Sequence, residues 1–184
     1  MLSYAITDPK YYGSSSKELG SSVKKLIDKD IADFICFRDK TTKEYKTLAE
    51  SFILTCKSNG FFKMLLHSDV ELSHRLKAYG VHLTSSQFHL IKKAKEYGLF
   101  CVISTHNEDE IYKALKLGAD AVTYSPIFFT PDKAKPKGLE DLNEKVAKIN
   151  IKIIALGGII SDEDIAKIKS TDAYAFASIR YFIK

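Results

Sequence analysis

The stretch FCVISTHNEDEIYKALKLGADAVTYSPIFFTPDK, residues 100–133, contains the pattern that decides the fold. Residues 100–104 are an apolar run that predicts a β-strand, and Asn107 can then cap a helix whose apolar side chains recur at helical spacing. Gly118 is placed to end that helix in the left-handed conformation, and residues 121–124 predict a second strand. The stretch therefore predicts one β-α-β unit followed by a polar loop.

The same alternation of apolar runs and helical patterns continues along the whole chain. Strands are predicted at residues 2–7, 34–37, 63–67, 81–83, 100–104, 121–124, 151–156 and 173–177. Strands that alternate with helices predict a parallel sheet, and eight units favour a closed (β/α)8 TIM barrel. An open nucleotide-binding sheet would carry a glycine fingerprint after the first strand, and residues 8–13 lack one. The eighth helix, residues 179–184, is short, so the expected barrel is compact.

Three further helix starts are predicted from capping residues. Thr41 with Glu44 and Ser68 with Glu71 match the capping box, in which a hydroxyl and a carboxylate satisfy the first N–H groups of a helix. Ser161 is expected to cap the helix of the seventh unit.

Composition limits the functional classes. A chain of 184 residues, 45% hydrophobic and 28% charged, predicts one globular domain over residues 1–184. No signal peptide or membrane segment is evident, so we expect a cytoplasmic protein without a membrane partner. The three cysteines form no C-x-x-C pair, which argues against a disulfide framework or a thiolate zinc site. The net charge of +5 fits an anionic small substrate, and no motif for binding nucleic acid accompanies it.

In a TIM barrel the functional residues lie at the carboxyl ends of the strands, and in this chain those positions are mostly polar or basic. The candidates for substrate binding and catalysis are Arg38, Lys40, Ser104, His106, Thr130, Asp132, Lys133, Gly157, Gly158, Phe176, Ala177 and Ser178. The ends of the last two strands mark the usual phosphate corner, where backbone N–H groups receive an anion.

Five segments in order carry a resemblance to a known family. They are CFRDK at 36–40, GVHL at 80–83, STHN at 104–107, GADAVTYSPIFFTPDK at 118–133 and ALGGI at 155–159. Together they resemble the thiamine phosphate synthases and the TenI-type thiazole tautomerases over nearly the whole chain. The resemblance implies a TIM-barrel enzyme of thiamine biosynthesis that acts on a thiazole phosphate. Residue by residue, it implies that His106 is catalytic and that Ser104 faces the substrate.

Departures from the family pattern concern the metal and the pyrimidine. Synthases of this family join a pyrimidine pyrophosphate to a thiazole phosphate with a magnesium ion held by two aspartates. The matching positions carry Ser68 and Gln87, and Cys36 stands where a glutamine reads the pyrimidine. Asp69 could replace the first ligand after a slip of one residue, but it would point to the opposite face. We therefore expect a metal-independent enzyme without a cofactor, and magnesium only under the synthase alternative.

Three functional hypotheses follow. The favoured one is a thiazole tautomerase, which moves a proton within a carboxythiazole phosphate with His106 as the acid/base group. The second is a divergent thiamine phosphate synthase, supported by Arg38, Lys40, Ser104 and Lys133. The third is a non-catalytic binder of a phosphorylated metabolite, supported by Asp132 and Ser125. These two residues replace a family hydroxyl residue and a family glycine.

Other residues have competing interpretations. His82, inside a strand, is expected to be a hydrogen-bonded structural histidine, and a metal site built from His67, His82 and His106 is disfavoured because such sites usually add an acidic ligand. Cys36 is interpreted as core filling rather than as a nucleophile. His74 and His89, on helices, are expected to be solvated.

The sequence leaves the interpretation of two features near the barrel mouth undecided. Lys133, Lys135 and Lys137 are either a solvated charge run or a lid that closes over phosphate. The short eighth helix leaves open whether a second copy of the chain covers that end of the barrel, as in a homo-oligomer.

Overall fold

The computed structural model describes residues 1–183, which form a closed barrel of eight parallel strands paired in chain order. The strands are β1 Leu2–Ile6, β2 Phe34–Phe37, β3 Met64–His67, β4 Gly80–Leu83, β5 Phe100–Thr105, β6 Ala121–Tyr124, β7 Lys152–Leu156 and β8 Ala175–Ser178. The predicted (β/α)8 TIM barrel is confirmed, and each predicted strand is present with its ends shifted by two residues or fewer.

Helices surround the barrel within the described range. They are α1 Pro9–Tyr12, α2 Ser16–Asp28, α3 Tyr45–Ser58, α4 Val70–Arg75, α5 Ile91–Glu96, α6 Glu108–Leu117, α7 Gly138–Lys148 and α8 Asp162–Lys169, with 3-10 turns at Phe88–Leu90 and Tyr181–Ile183. The short helix α1 was not predicted, and the predicted eighth helix is a 3-10 turn as far as residue 183. Lys184 lies outside the described residues. Every helix of residues 1–183 is too short or too polar to span a bilayer.

The core has two layers, because successive strand residues point to opposite faces of the sheet. In β2, Phe34 and Cys36 point into the barrel, and Ile35 and Phe37 pack against the outer helices. Burial raises the pKa of the Cys36 thiol to about 12. The thiol therefore stays protonated, which supports core filling over a nucleophilic role.

Three predicted caps are present. Asn107 accepts a hydrogen bond from the N–H of Glu110, and Ser161 accepts one from the N–H of Asp164. Gly118 ends α6 with a φ of +85°. These caps are local, so the sequence pattern was sufficient to find them.

The capping box predicted at Thr41 and Glu44 is wrong. Glu44 occupies the N-cap of α3 without a side-chain hydrogen bond, because the carboxylate of Asp39 takes the N–H groups of Thr41 and Thr42 at 2.8 and 2.9 Å. In this turn Asp39 already binds the N–H of Thr41, which the predicted capping box assigned to Glu44.

The capping box predicted at Ser68 and Glu71 is also wrong. Asp69 caps α4 instead, since its carboxylate accepts from the N–H of Leu72 at 2.9 Å. Ser68 has a φ of +67°, and its hydroxyl lies 2.9 Å from Nδ1 of His67. The helix therefore begins one residue later than predicted, and Ser68 contacts His67 instead of capping the helix.

Candidate active site

A cavity of about 560 Å³ opens at the carboxyl ends of the strands. It brings together these predicted site residues: Arg38, Lys40, Ser104, His106, Thr130, Lys133, Gly157, Gly158, Ala177 and Ser178. His67, His82 and Arg180 also line it. Among the residues described, each charged Lys, Arg, Asp or Glu side chain in the lining is basic, so the cavity suits an anionic ligand.

Two predicted substrate-binding residues do not line this cavity. Phe176 points to the outer face of β8, where its ring stacks on Phe182 with 5.7 Å between centroids. Its neighbour Ala177 points inward, as strand alternation requires. Asp132 is exposed in the loop after β6, outside the lining.

The lysine segment after β6 is divided between the cavity and solvent. Lys133 and Lys137 line the cavity, whereas Lys135 is exposed and does not. Thr130 accepts a hydrogen bond from the N–H of Lys133 through its carbonyl oxygen, at 3.3 Å. The first lysine is thus fixed at a turn beside the mouth.

His106 lies at the mouth, between the end of β5 and the N-cap of α6. Its backbone N–H donates to Oε2 of Glu110 at 2.7 Å, and its ring Nδ1 lies 3.2 Å from the carbonyl oxygen of Ser125. The hydroxyl of Ser125 lies farther from Nδ1, at 3.4 Å, so the carbonyl oxygen is taken as the partner. Because a carbonyl oxygen can only accept, Nδ1 then carries the proton in the neutral ring. Nε2 is then unprotonated and available as a base beside the cavity.

Ser104, two residues before His106 on β5, belongs to a buried network. Its hydroxyl lies 3.1 Å from Nε2 of His82, whose Nδ1 lies 3.1 Å from the hydroxyl of Tyr4. His82 is 3% exposed, and burial, helped by the nearby His67 and Arg38, lowers its pKa to about 3. His82 is therefore a neutral, hydrogen-bonded histidine as predicted, and its contact with Ser104 was not anticipated.

The basic side of the cavity begins at the end of β2. Nη1 of Arg38 lies 3.0 Å from Oδ2 of Asp8, which also caps α1. Loss of hydration and repulsion from Arg38 and Lys133 lower the pKa of Lys40. Asp8 was missed in the sequence, although a polar residue directly after the predicted first strand, residues 2–7, was the available signal.

The opposite corner lies at the ends of β7 and β8. Within residues 1–183, the N–H groups of Gly158, Ile179 and Arg180 donate no hydrogen bond, so they are available to a ligand. The hydroxyl of Ser178 is already used, because it donates to the carbonyl oxygen of Ile159 at 2.7 Å and accepts from the N–H of Tyr181. Ser178 therefore braces the loops, and the backbone N–H groups are the donors left for a ligand.

The positions expected to hold magnesium do not fit that ion. The hydroxyl of Ser68 contacts His67, and the side chain of Gln87 accepts from the N–H of Thr84 and donates to the carbonyl oxygen of Ser68. Asp69, the potential substitute, is used as a helix cap. Residues 1–183 contain no cluster of three or more His, Cys, Asp or Glu arranged to bind a metal. Magnesium prefers carboxylate ligands, and neither of the two positions that the resemblance implies carries one.

Fold and cavity together define an enzyme-like TIM barrel with a basic cavity at its mouth. The family model described as thiamine monophosphate synthase (TMP-TENI) matches residues 3–182, so the chain belongs to the thiamine monophosphate synthase/TenI family. The resemblance seen in the five sequence segments is confirmed, and the chain is an enzyme of thiamine biosynthesis.

Similar proteins are found in both curated sequences and solved structures. "Putative thiamine-phosphate synthase 2" of Aquifex aeolicus (strain VF5) is 33% identical, with 98% of this chain and 97% of that protein covered. The thiamine-phosphate synthase of Lactococcus lactis subsp. cremoris (strain MG1363) is 29% identical, with 86% of this chain and 77% of that protein covered. The structure of the thiamine phosphate pyrophosphorylase from Pyrococcus furiosus matches with a TM-score of 0.81 at 24% identity. The match covers 97% of this chain and 85% of that one. The relatives' names favour the synthase, which the sequence analysis ranked second.

Proposed function

We propose that this enzyme is a metal-independent thiazole tautomerase, which moves a proton within a carboxythiazole phosphate to give the aromatic isomer. The observation that carries the proposal is the arrangement of His106. Nδ1 of its ring is held by the carbonyl oxygen of Ser125 at 3.2 Å, so Nε2 is the basic nitrogen at the cavity. One positioned base is the minimum that a proton shift requires.

The rest of the cavity supports the same chemistry. The free N–H groups near Gly158 and Arg180 suit the phosphate, and Lys133 adds a cation to the same cavity. A ligand clamped at that corner presents its ring to β5, where His106 can remove a proton from one atom and return it to another. Positioning of this kind makes the transfer effectively intramolecular.

The second candidate is a thiamine phosphate synthase. The names of the relatives favour it, and Arg38, Lys40 and Lys133 are retained at the cavity. Ser68 and Gln87 argue against it, because these neutral side chains occupy the places where the resemblance implies magnesium ligands. A pyrophosphate leaving group would then depart without a metal held by carboxylates.

Two assays on the same preparation distinguish the candidates. The first follows the ultraviolet absorbance of thiazole aromatisation in the presence of a chelator, and the tautomerase proposal predicts turnover. The second supplies pyrimidine pyrophosphate, thiazole phosphate and magnesium, and measures release of pyrophosphate. Efficient release without aromatisation would overturn the proposal and identify a synthase. Turnover in the first assay that disappears with the chelator would contradict metal independence.

A further inference from the structure

A chain of hydrogen bonds crosses the barrel interior from β1 to β5. The hydroxyl of Tyr4, on β1, lies 3.1 Å from Nδ1 of His82, and Nε2 of the same ring lies 3.1 Å from the hydroxyl of Ser104. In the closed barrel β5 is four strands from β1 in either direction, so the chain joins opposite walls. Tyr4 and His82 are 1% and 3% exposed, whereas Ser104 is partly exposed and lines the cavity. The chain therefore begins in the core and ends at the cavity.

The direction of these hydrogen bonds follows from the groups at the buried end. Burial raises the pKa of the Tyr4 phenol well above its usual value and lowers the pKa of His82, so the phenol keeps its proton and the ring is neutral. The phenol must donate that proton to an acceptor. The Cys36 thiol also lies near the phenol, but sulfur is a weak acceptor. Nδ1 of His82 is therefore the acceptor, which places the single ring proton on Nε2.

The proton on Nε2 of His82 determines which role is left for Ser104. Nε2–H donates to the oxygen of Ser104, and among residues 1–183 the hydroxyl has no acceptor for its own proton. A serine hydroxyl can ordinarily donate or accept, but here the ring already occupies it as an acceptor. The wall of the cavity therefore offers a hydrogen-bond donor to a ligand at this point.

This donor lies close in the chain to the proposed base. Ser104 and His106 are two residues apart at the end of β5, and both line the cavity. When Nε2 of His106 removes a proton from a ring carbon, the electron pair of the broken C–H bond stays on the substrate. The negative charge spreads to a conjugated nitrogen or oxygen atom, and return of the proton to another ring atom removes it. A hydrogen-bond donor at that nitrogen or oxygen stabilises the charge while it exists.

We propose that Ser104 is a second catalytic residue, which donates a hydrogen bond to the substrate atom that becomes negative when His106 takes the proton. Tyr4 and His82 are positioning residues, which fix Ser104 as a donor. The inference rests on the proposed function and adds a stabilising donor to its base. It also sets a requirement for the substrate, because an analogue with an N–H or O–H group facing Ser104 would meet a second donor there.

The test is a double-mutant cycle in the aromatisation assay. Ser104→Ala should lower kcat about 100-fold with KM nearly unchanged, the scale of one donor lost from a developing charge. Tyr4→Phe removes only the phenol hydroxyl, and it should lower kcat about tenfold. In the Ser104→Ala background, Tyr4→Phe should have no further effect on kcat, because it acts through Ser104. Tyr124→Phe is the matched control, since this equally buried phenol donates to Asp141 outside the barrel interior.

The position of the His82 proton is measured without substrate. Nitrogen-15 NMR of histidine-labelled wild type near neutral pH should show the Nε2–H tautomer, with the signals assigned from their absence in His82→Asn. Tyr4→Phe should introduce the Nδ1–H tautomer, because Nδ1 loses its donor. A change in packing alone would not move this proton.

The outcomes separate this inference from the proposed function. A wild-type proton on Nδ1, or an unchanged kcat in Ser104→Ala, would overturn the inference while wild-type turnover keeps the proposed function. Equal losses of kcat from Tyr4→Phe with and without Ser104 would also overturn it, since packing would then explain them. Absent turnover in wild type would overturn the proposed function and the catalytic role of Ser104 together.

Discussion

Gly158 lies so close to Phe129 that a Cβ atom at residue 158 would stand 2.6 Å from the carbonyl oxygen of Phe129. The loop after β6 therefore packs directly on the loop that contains Gly158 and lines the cavity. Gly158 also has a φ of +73°, which side chains disfavour. The close packing of these two loops therefore requires a residue without a side chain at position 158.

Gly158→Ala should consequently weaken binding of thiazole phosphate by about tenfold or more, because the loop must shift and its N–H groups move with it. Gly98→Ala is the matched control, since Gly98 has a φ of +69° and an added Cβ there would meet no atom within 4 Å. Both variants should lose about 1–2 kcal/mol of stability from the strained backbone. Titration of each variant with thiazole phosphate separates the clash from the strain, and equal affinities would contradict the expectation.

His106→Asn should lower the rate of aromatisation by about 100-fold or more, in line with the usual contribution of a general base. Asparagine retains the size and some hydrogen bonding with Ser125, but it cannot take up and return a proton. Affinity for the phosphate ligand should stay nearly unchanged, because the phosphate corner lies on β7 and β8. The measurement is single-turnover ultraviolet kinetics together with calorimetry. His89→Asn, at an exposed position on the outer surface, is the control. Full activity of the His106 variant would exclude this residue as the base.

His82→Asn should act mainly on stability. The substitution removes the shared partner of Tyr4 and Ser104 and leaves a gap next to the stacked Tyr4 ring. A buried hydroxyl that loses its partner costs about 1–3 kcal/mol, and urea unfolding measures this loss directly. Ser104→Ala, which breaks only one of the two contacts, should cost less. A His82 variant as stable as wild type would show that the network contributes nothing to folding.

The sequence was a good guide where structure depends on neighbouring residues. Apolar runs located the strands, and Asn107 and Ser161 located two helix starts, because each uses N–H groups in its own first turn. The Thr41 box was wrong for a local reason as well, since Asp39 competed for the same donors. Capping preferences describe single residues, whereas the cap that forms depends on which nearby acceptor binds the N–H groups.

The site could be predicted only in part, because several of its contacts join residues far apart in the chain. Arg38 was expected at an anion site, but its pairing with Asp8 across thirty residues depends on β1 lying beside β2. The bond between His82 and Ser104 depends in the same way on the pairing of β4 with β5. Ser178 was expected to bind the substrate, but its hydroxyl donates to the carbonyl oxygen of Ile159. Such contacts follow from register, which apolar patterns alone do not give.

The last prediction concerns stability in mild acid, and it follows from the two buried histidines. Burial is the main cause that lowers the pKa of His67 to about 4 and that of His82 to about 3, with Arg38 and Lys40 adding repulsion at His67. In the unfolded chain both rings titrate near 6.5, so between that pH and about 4 the unfolded state binds more protons than the folded state. The free energy of unfolding should therefore be fully retained above pH 6.5 and fall as the pH drops. The slope approaches about 1.4 kcal/mol per pH unit for each histidine.

Urea unfolding of wild type and His67→Gln between pH 7 and pH 5 measures the slope, and the variant should show a shallower one. His89→Gln serves as the control for loss of an exposed histidine, and identical slopes in all three proteins would contradict the burial argument.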